Sequence, residues 1–247
     1  MSVEISEQHE APGHQHKDVS GGWLRPAVFG AMDGLVTNVS LIAGVGAGVS
    51  ASGGSPHLIV LTGLAGLAAG AFSMATGEYV SVSSQNELVQ AEVRKEAHEL
   101  EHNPDSERRE LAEAFRSQGV EPELADKVAA QIGAHPDQAL GVHVRQELGV
   151  DYQELPSPYT AAGASLLTFA AGALIPLLPY LAGAQNLALA LALALGLAAV
   201  ALFVGGGLVA RLTDRPFLRG AVRQLVLGAA AAGITFAIGS AVGTGAS

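Results

Sequence analysis

Nine side chains have the types and spacing to hold a metal ion. Asp33 stands in Phe29-Gly-Ala-Met-Asp-Gly34, inside an otherwise apolar run. Met74 and Glu78 lie four residues apart in a second apolar run, one turn apart on one helix face. A carboxylate and a thioether on one stripe suit a borderline transition metal better than magnesium or calcium, which take oxygen ligands. An aspartate at the centre of a membrane helix costs about 2.5–3.5 kcal/mol on insertion scales. Asp33 is therefore expected to face a bundle interior as a cation or proton site. The plainer readings are that Asp33 caps a local break at Gly34, that Met74 is apolar filler, and that Glu78 sits at the membrane surface.

The other six residues fall in a polar segment. Glu96 and Glu99 form one E-x-x-E pair, and Glu107 and Glu110 form another. Residues three apart share a helix face, so each pair presents two carboxylates to one side. The short turn at His102–Pro104 would let consecutive helices fold back and bring the four together. His143 and Glu147, one turn apart, are a further ligand set. A single surface glutamate is most often simply solvated. Four like charges on facing helices, however, repel unless a cation or a proton compensates them.

These residues must be positioned by helices. Five apolar stretches reach the roughly 20 residues needed to cross a bilayer core of about 30 Å: Pro26–Val49, His57–Val80, Tyr159–Gly183, Asn186–Ala210 and Phe217–Val242. Arginine and lysine are absent from the Ala51–Pro56 loop, the Pro179–Gln185 loop and the tail after Val242. All thirteen basic residues lie before the second half of span 1, between spans 2 and 3, or around the span 4–5 turn at Arg211, Arg215, Arg219 and Arg223. That asymmetry places the N-terminus in the cytoplasm and the C-terminus outside.

From Gln85 to Pro156 the chain carries sixteen acidic residues against seven basic ones, a net of −9. Span 2 has no breaker after Gly77 and is expected to continue as a helix through Glu101. Asn103 reads as an N-cap with Pro104 at the first helical position. Gly119 closes that helix, Pro122 opens a third ending at Gly133, and Pro136 opens a fourth ending at Gly149. The fold class expected is an all-α membrane protein with five transmembrane helices and a small helical cytoplasmic metal-binding domain between spans 2 and 3. The divisions are a disordered tail (1–24), spans 1–2 (25–84), the acidic domain (85–156) and spans 3–5 (157–247).

Composition narrows the function classes. The chain has 247 residues, 49% of them hydrophobic and 15% charged, below the roughly 25% of soluble domains. With no cysteine there is no disulfide, zinc–thiolate site or iron–sulfur cluster. A net charge of −10 argues against nucleic acid as the main partner. No phosphate-cradling glycine loop with a lysine and no nucleophilic triad is present, so hydrolytic enzymes and ATP-driven pumps have no residues to carry them. The first twenty or so residues have no apolar core flanked by basic residues, so no cleavable signal is expected. Of them, His9, His14 and His16 offer a weak metal-gathering tail at most. Gly66-x-x-x-Gly70 and Gly239-x-x-x-Gly243 are small-x-x-x-small patterns that let helices approach closely, within the chain or across a dimer.

Together, Phe29-Gly-Ala-Met-Asp-Gly-Leu-Val-Thr-Asn, Gly70-Ala-Phe-Ser-Met-Ala-Thr-Gly-Glu-Tyr-Val-Ser-Val, Arg145-Gln-Glu-Leu-Gly and Gly172-Ala-Leu-Ile-Pro-Leu-Leu-Pro resemble the vacuolar iron transporter family, in a bacterial-type member. The likeness runs from about Arg25 to the C-terminus. It implies a five-span homodimer that moves cytosolic ferrous iron, and often manganese, out of the cytosol in exchange for protons. Iron would then be a bound substrate rather than a fixed cofactor, and the protein no enzyme. By position, Asp33 and Met74 look like the family's pore ligands. Glu96, Glu99, Glu107, Glu110 and Glu147 look like the glutamates of its cytoplasmic domain. Three positions depart from the plant members: Gly66 stands where they carry a pore glutamate, and His143 and Val144 stand where they carry methionines. The location implied is a multi-pass cell (inner) membrane, or the vacuolar membrane in a eukaryote. Two other functions use the same residues: a membrane-anchored di-iron oxidase and a metal sensor whose acidic domain gates the pore.

Overall fold

The computed structural model describes residues 22–184 and 186–245, and every regular element among them is helical. The elements are α1 (Leu24–Ser52), α2 (His57–His102), α3 (Pro104–Ser117), α4 (Pro122–Gly133), α5 (Pro136–Glu147), α6 (Pro158–Leu174), α7 (Leu178–Leu181), α8 (Leu187–Leu212) and α9 (Phe217–Gly245). A 3₁₀ turn at Ile175–Leu177 joins α6 to α7, where Pro176 and Pro179 interrupt the helix. Five helices are long and apolar enough to cross a membrane: α1, α2, α6 continued through α7, α8 and α9. The tail before residue 22 lies outside the described residues.

Small side chains set the helix spacing. A Cβ on Gly34 would lie 2.2 Å from the Phe169 carbonyl oxygen, so α1 and α6 meet backbone to backbone there. At the α1–α9 crossing, a Cβ on Gly239 would come within 1.8 Å of the Gly44 carbonyl oxygen. Gly243 packs on Gly48, Gly66 faces Leu41, and Gly70 faces the Phe169 ring. Both glycine patterns of the sequence are thus occupied by contacts within the chain. In α8, Ala190, Ala194 and Ala198 repeat every fourth residue and are buried, while Leu189, Leu193 and Leu197 point outward. Apolar residues outward and small ones inward is the order expected where lipid is the solvent.

Helix α2 is 46 residues long, about 69 Å at 1.5 Å per residue, and more than twice what a bilayer core needs. Aromatic residues mark where it leaves the apolar zone. Trp23 precedes α1, Tyr159 begins α6, and the Tyr79 ring packs edge-on against Tyr159 at 5.3 Å. Exposed tryptophan and tyrosine collect at the membrane–water boundary, so the part of α2 beyond Tyr79 protrudes. There α3, α4 and α5 gather on it around a small core of Leu111, Ala112 and Ala129, flanked by Phe115, Ile132 and Val142. Asn103 occupies the N-cap position of α3 without capping it. Its amide instead donates to Glu99 Oε2 at 2.7 Å, on the end of α2.

Candidate metal centres

Two groups of ligand-type side chains are assembled on α2, about 27 Å apart along its axis, from Glu78 to Glu96. In the protruding part, α2 supplies Glu96, α3 supplies Glu107, and α5 supplies His143 and Glu147. One ligand atom from each lies within 4.8 Å of all the others. His143 Nδ1 is 3.1 Å from Glu96 Oε1, 3.6 Å from Glu107 Oε2 and 3.8 Å from Glu147 Oε1. Metal–ligand bonds of about 2.0–2.2 Å separate donors by at most about 4.4 Å, so small side-chain movements would close this set on one ion.

The electrostatics agree with the geometry. Glu96 and Glu107 are largely buried, and Glu96 Oε1 and Glu107 Oε2 accept no well-aligned hydrogen bond although the His143 ring lies close to both. Burial first, and then the neighbouring Glu147 charge, holds the Glu96 carboxyl above its usual range. Glu107 is pushed up to about 7, by burial first and then by the charges of Glu96 and Glu110. A divalent cation among these groups would relieve both penalties and displace protons. Three carboxylates and one imidazole are a donor set suited to iron, manganese and zinc alike.

Only the first glutamate of each E-x-x-E pair enters this group. Glu99 accepts from Asn103, and exposed Glu110 accepts from the Ser106 hydroxyl at 3.4 Å. The one Glu-x-x-His spacing of the sequence, Glu99–His102, is also turned away: the His102 ring packs against His98 at 3.9 Å and bonds the His98 carbonyl. A ferritin-like di-iron site needs two such pairs facing inward, and the described residues do not assemble one.

The second group lies among the apolar helices. Asp33 and Thr37 of α1 and Met74 and Glu78 of α2 line one cavity of about 320 Å³, walled on its apolar side by Phe29 and Phe169. Helix α1 runs unbroken through Gly34, so Asp33 caps no break. Its carboxylate Oδ1 accepts from the Thr37 hydroxyl at 3.3 Å. Glu78 is buried at 8% exposure even though it neighbours the boundary tyrosine. The three residues singled out in the spans therefore share one space.

One residue in this region escapes sequence reasoning. Asn38 is 1% exposed, its amide donates to the Ala173 carbonyl, and its Oδ1 has no partner. That oxygen lies 3.6 Å from where a Cβ on Gly66 would be. The available signal was a lone amide in an apolar run, five residues after Asp33. A buried polar atom without a partner costs about 1–3 kcal/mol, which marks Asn38 as a further oxygen facing α2 beyond Asp33.

Comparison with known proteins bears on the same residues. The profile of the VIT family matches residues 24–240. A vacuolar iron transporter of Acanthamoeba castellanii is 36% identical over 241 residues, covering 92% of this chain and 82% of its own. Vacuolar iron transporter 1 of Oryza sativa subsp. japonica is likewise 36% identical, covering 94% and 91%. Vacuolar iron transporter 1 of Arabidopsis thaliana is 28% identical, covering 98% and 95%. With five membrane-length helices and a profile match over nearly their whole extent, this chain belongs to the VIT family, whose members are membrane transporters rather than enzymes.

Proposed function

We propose that the protein exports divalent transition metal, Fe²⁺ and also Mn²⁺, from the cytosol by proton antiport. The observation that carries this reading is the cavity shared by Asp33, Met74 and Glu78 between α1 and α2. Carboxylates in a low-dielectric cavity favour their neutral form, and an arriving cation displaces the proton. Alternate occupancy by metal and proton is then an exchange device built from the same side chains. Iron is cargo here, not a resident cofactor.

In this reading α3–α5 and the outer part of α2 form a cytoplasmic metal-binding domain over about 85–156. Glu96, Glu107, His143 and Glu147 collect the ion, with Glu99 and Glu110 supplying surrounding negative charge that raises its local concentration. The spans (25–84 and 157–247) carry it outward, with the N-terminus in the cytoplasm and the C-terminus outside. A homodimer would set two α1–α2 cavities side by side, since the small exposed residues Ser73 and Gly77 border the cavity on the open face of α2.

The test is metal uptake into proteoliposomes of the purified protein, screened across Fe²⁺, Mn²⁺, Co²⁺ and Zn²⁺. A pH-sensitive dye inside the vesicles reports counter-flow of protons. The reading predicts uptake of iron and manganese that slows when a protonophore collapses the gradient. Uptake indifferent to the gradient, with no proton counter-flow, refutes antiport.

A further inference from the structure

Next to the α1–α2 cavity, a seam between α1, α8 and α9 holds two further cavities in line. The first, of about 520 Å³, is lined by Arg25, Arg223 and Gln224 together with apolar Val28, Val36 and Leu227. The second, of about 340 Å³, begins about one helical turn farther in on each helix, with Val39 on α1, Leu202 on α8 and Gly228 on α9, and reaches Phe236. Its lining is wholly apolar. From Arg223 to Phe236 the seam runs about 20 Å along α9, somewhat more than the roughly 15 Å from the edge of the hydrocarbon to the bilayer midplane.

Among the described residues, neither Arg25 nor Arg223 lies within ion-pair distance of a carboxylate. The only acid lining the first cavity is Asp33, which is also on the wall of the α1–α2 cavity. Two unpaired guanidinium groups at the boundary marked by Trp23, leading into an apolar slot of acyl-chain length, match one class of molecule in polarity, charge and reach. We infer that this seam binds an anionic phospholipid, its phosphate held by Arg25 and Arg223 with Gln224 donating, and an acyl chain laid along Val39, Leu202 and Phe236. Each arginine near an anionic headgroup adds about 1 kcal/mol. Phe29 and Asp33 line both this cavity and the α1–α2 cavity, so the lipid lies beside the metal path, and its binding does not depend on how that path works.

The experiment is native mass spectrometry of the full-length protein exchanged into detergent with equal amounts of phosphatidylglycerol and phosphatidylcholine of identical chains. Wild type is expected to retain phosphatidylglycerol preferentially. The Arg25→Gln/Arg223→Gln variant should lose roughly thirtyfold of that preference, while Arg223→Lys keeps most of it and controls for folding. Ala229→Phe, which fills the apolar slot without touching charge, should lower retention of both lipids. Equal retention of the two lipids by wild type overturns the inference, as does a preference that survives loss of both arginines. Displacement of the lipid by glycerol phosphate as effective as by whole phosphatidylglycerol would make the site a simple anion site. A change of oligomeric state in the double variant with unchanged lipid retention would make the seam a contact between copies.

Discussion

Replacing Glu107 by glutamine separates what the buried carboxylate costs the metal-free protein from what it provides when metal binds. Glu107 is 5% exposed and moved from 4.5 to about 7 by burial and by the charges of Glu96 and Glu110. The folded state therefore binds more protons than the unfolded state between about 4.5 and about 7. Stability without metal falls as pH rises through that window and levels off above it. The shift corresponds to about 3 kcal/mol against the charged form. Allowing about 1 kcal/mol for an amide that is itself incompletely hydrogen-bonded leaves about 2 kcal/mol. In chelator at pH 8, Glu107→Gln should protect the α3–α5 amides from hydrogen exchange roughly thirtyfold better than wild type, after correction for intrinsic rates. At pH 5 the carboxyl is already neutral and the advantage should vanish. Adding Mn²⁺ at pH 8 should raise protection in wild type and leave the variant nearly unchanged. A variant less protected than wild type at pH 8 in chelator, or a difference of the same size at pH 5, would refute the reasoning.

Three further outcomes follow from the same geometry. His143→Ala removes the imidazole that faces three carboxylates, and calorimetric Mn²⁺ affinity should drop by at least the roughly 10–100-fold that even outer-shell changes cost; Glu99→Gln and Glu110→Gln should each change it far less. Because metal displaces a proton from Glu107, the affinity of the same centre should fall about tenfold per pH unit below about 7, and titrations at pH 5, 6 and 7 check the slope. Gly239→Leu would drive a side chain into the Gly44 carbonyl, whereas Gly196 has open space around it; size-exclusion profiles after mild heating should show the first variant aggregated and Gly196→Leu as monodisperse as wild type.

Much of the helical framework was legible in the sequence because membrane length and helix punctuation are local signals. The proline starts at Pro104, Pro122 and Pro136 all open helices, and the span 2 helix runs on to His102, one residue past the expected Glu101. Gly119 and Gly149 carry the positive φ that ends a helix (94° and 68°). Spacing pointed to clustered carboxylates, but not to which of them the helices bring together. Spacing shows that Glu96 and Glu99 share a helix face; it does not show which of them the next helix meets. At the α2–α3 turn the Asn103 amide binds Glu99, while Glu96, one turn earlier, faces His143 beside Glu107. Asn38 was missed for a related reason: its isolation is visible only once Gly66 and Ala173 are packed around it. The glycine patterns, in turn, could not say whether their partner was the same chain or another. Gly239 and Gly243 meet Gly44 and Gly48, nearly two hundred residues away in sequence.

Metal flux through the α1–α2 cavity is tested most directly by Fe²⁺ uptake into proteoliposomes containing Asp33→Ala, under an imposed pH gradient and beside wild type. Uptake is predicted to fall to the level of protein-free vesicles, while Mn²⁺ binding at Glu96, Glu107, His143 and Glu147 stays intact. Uptake by Asp33→Ala as fast as wild type would contradict a path through that cavity.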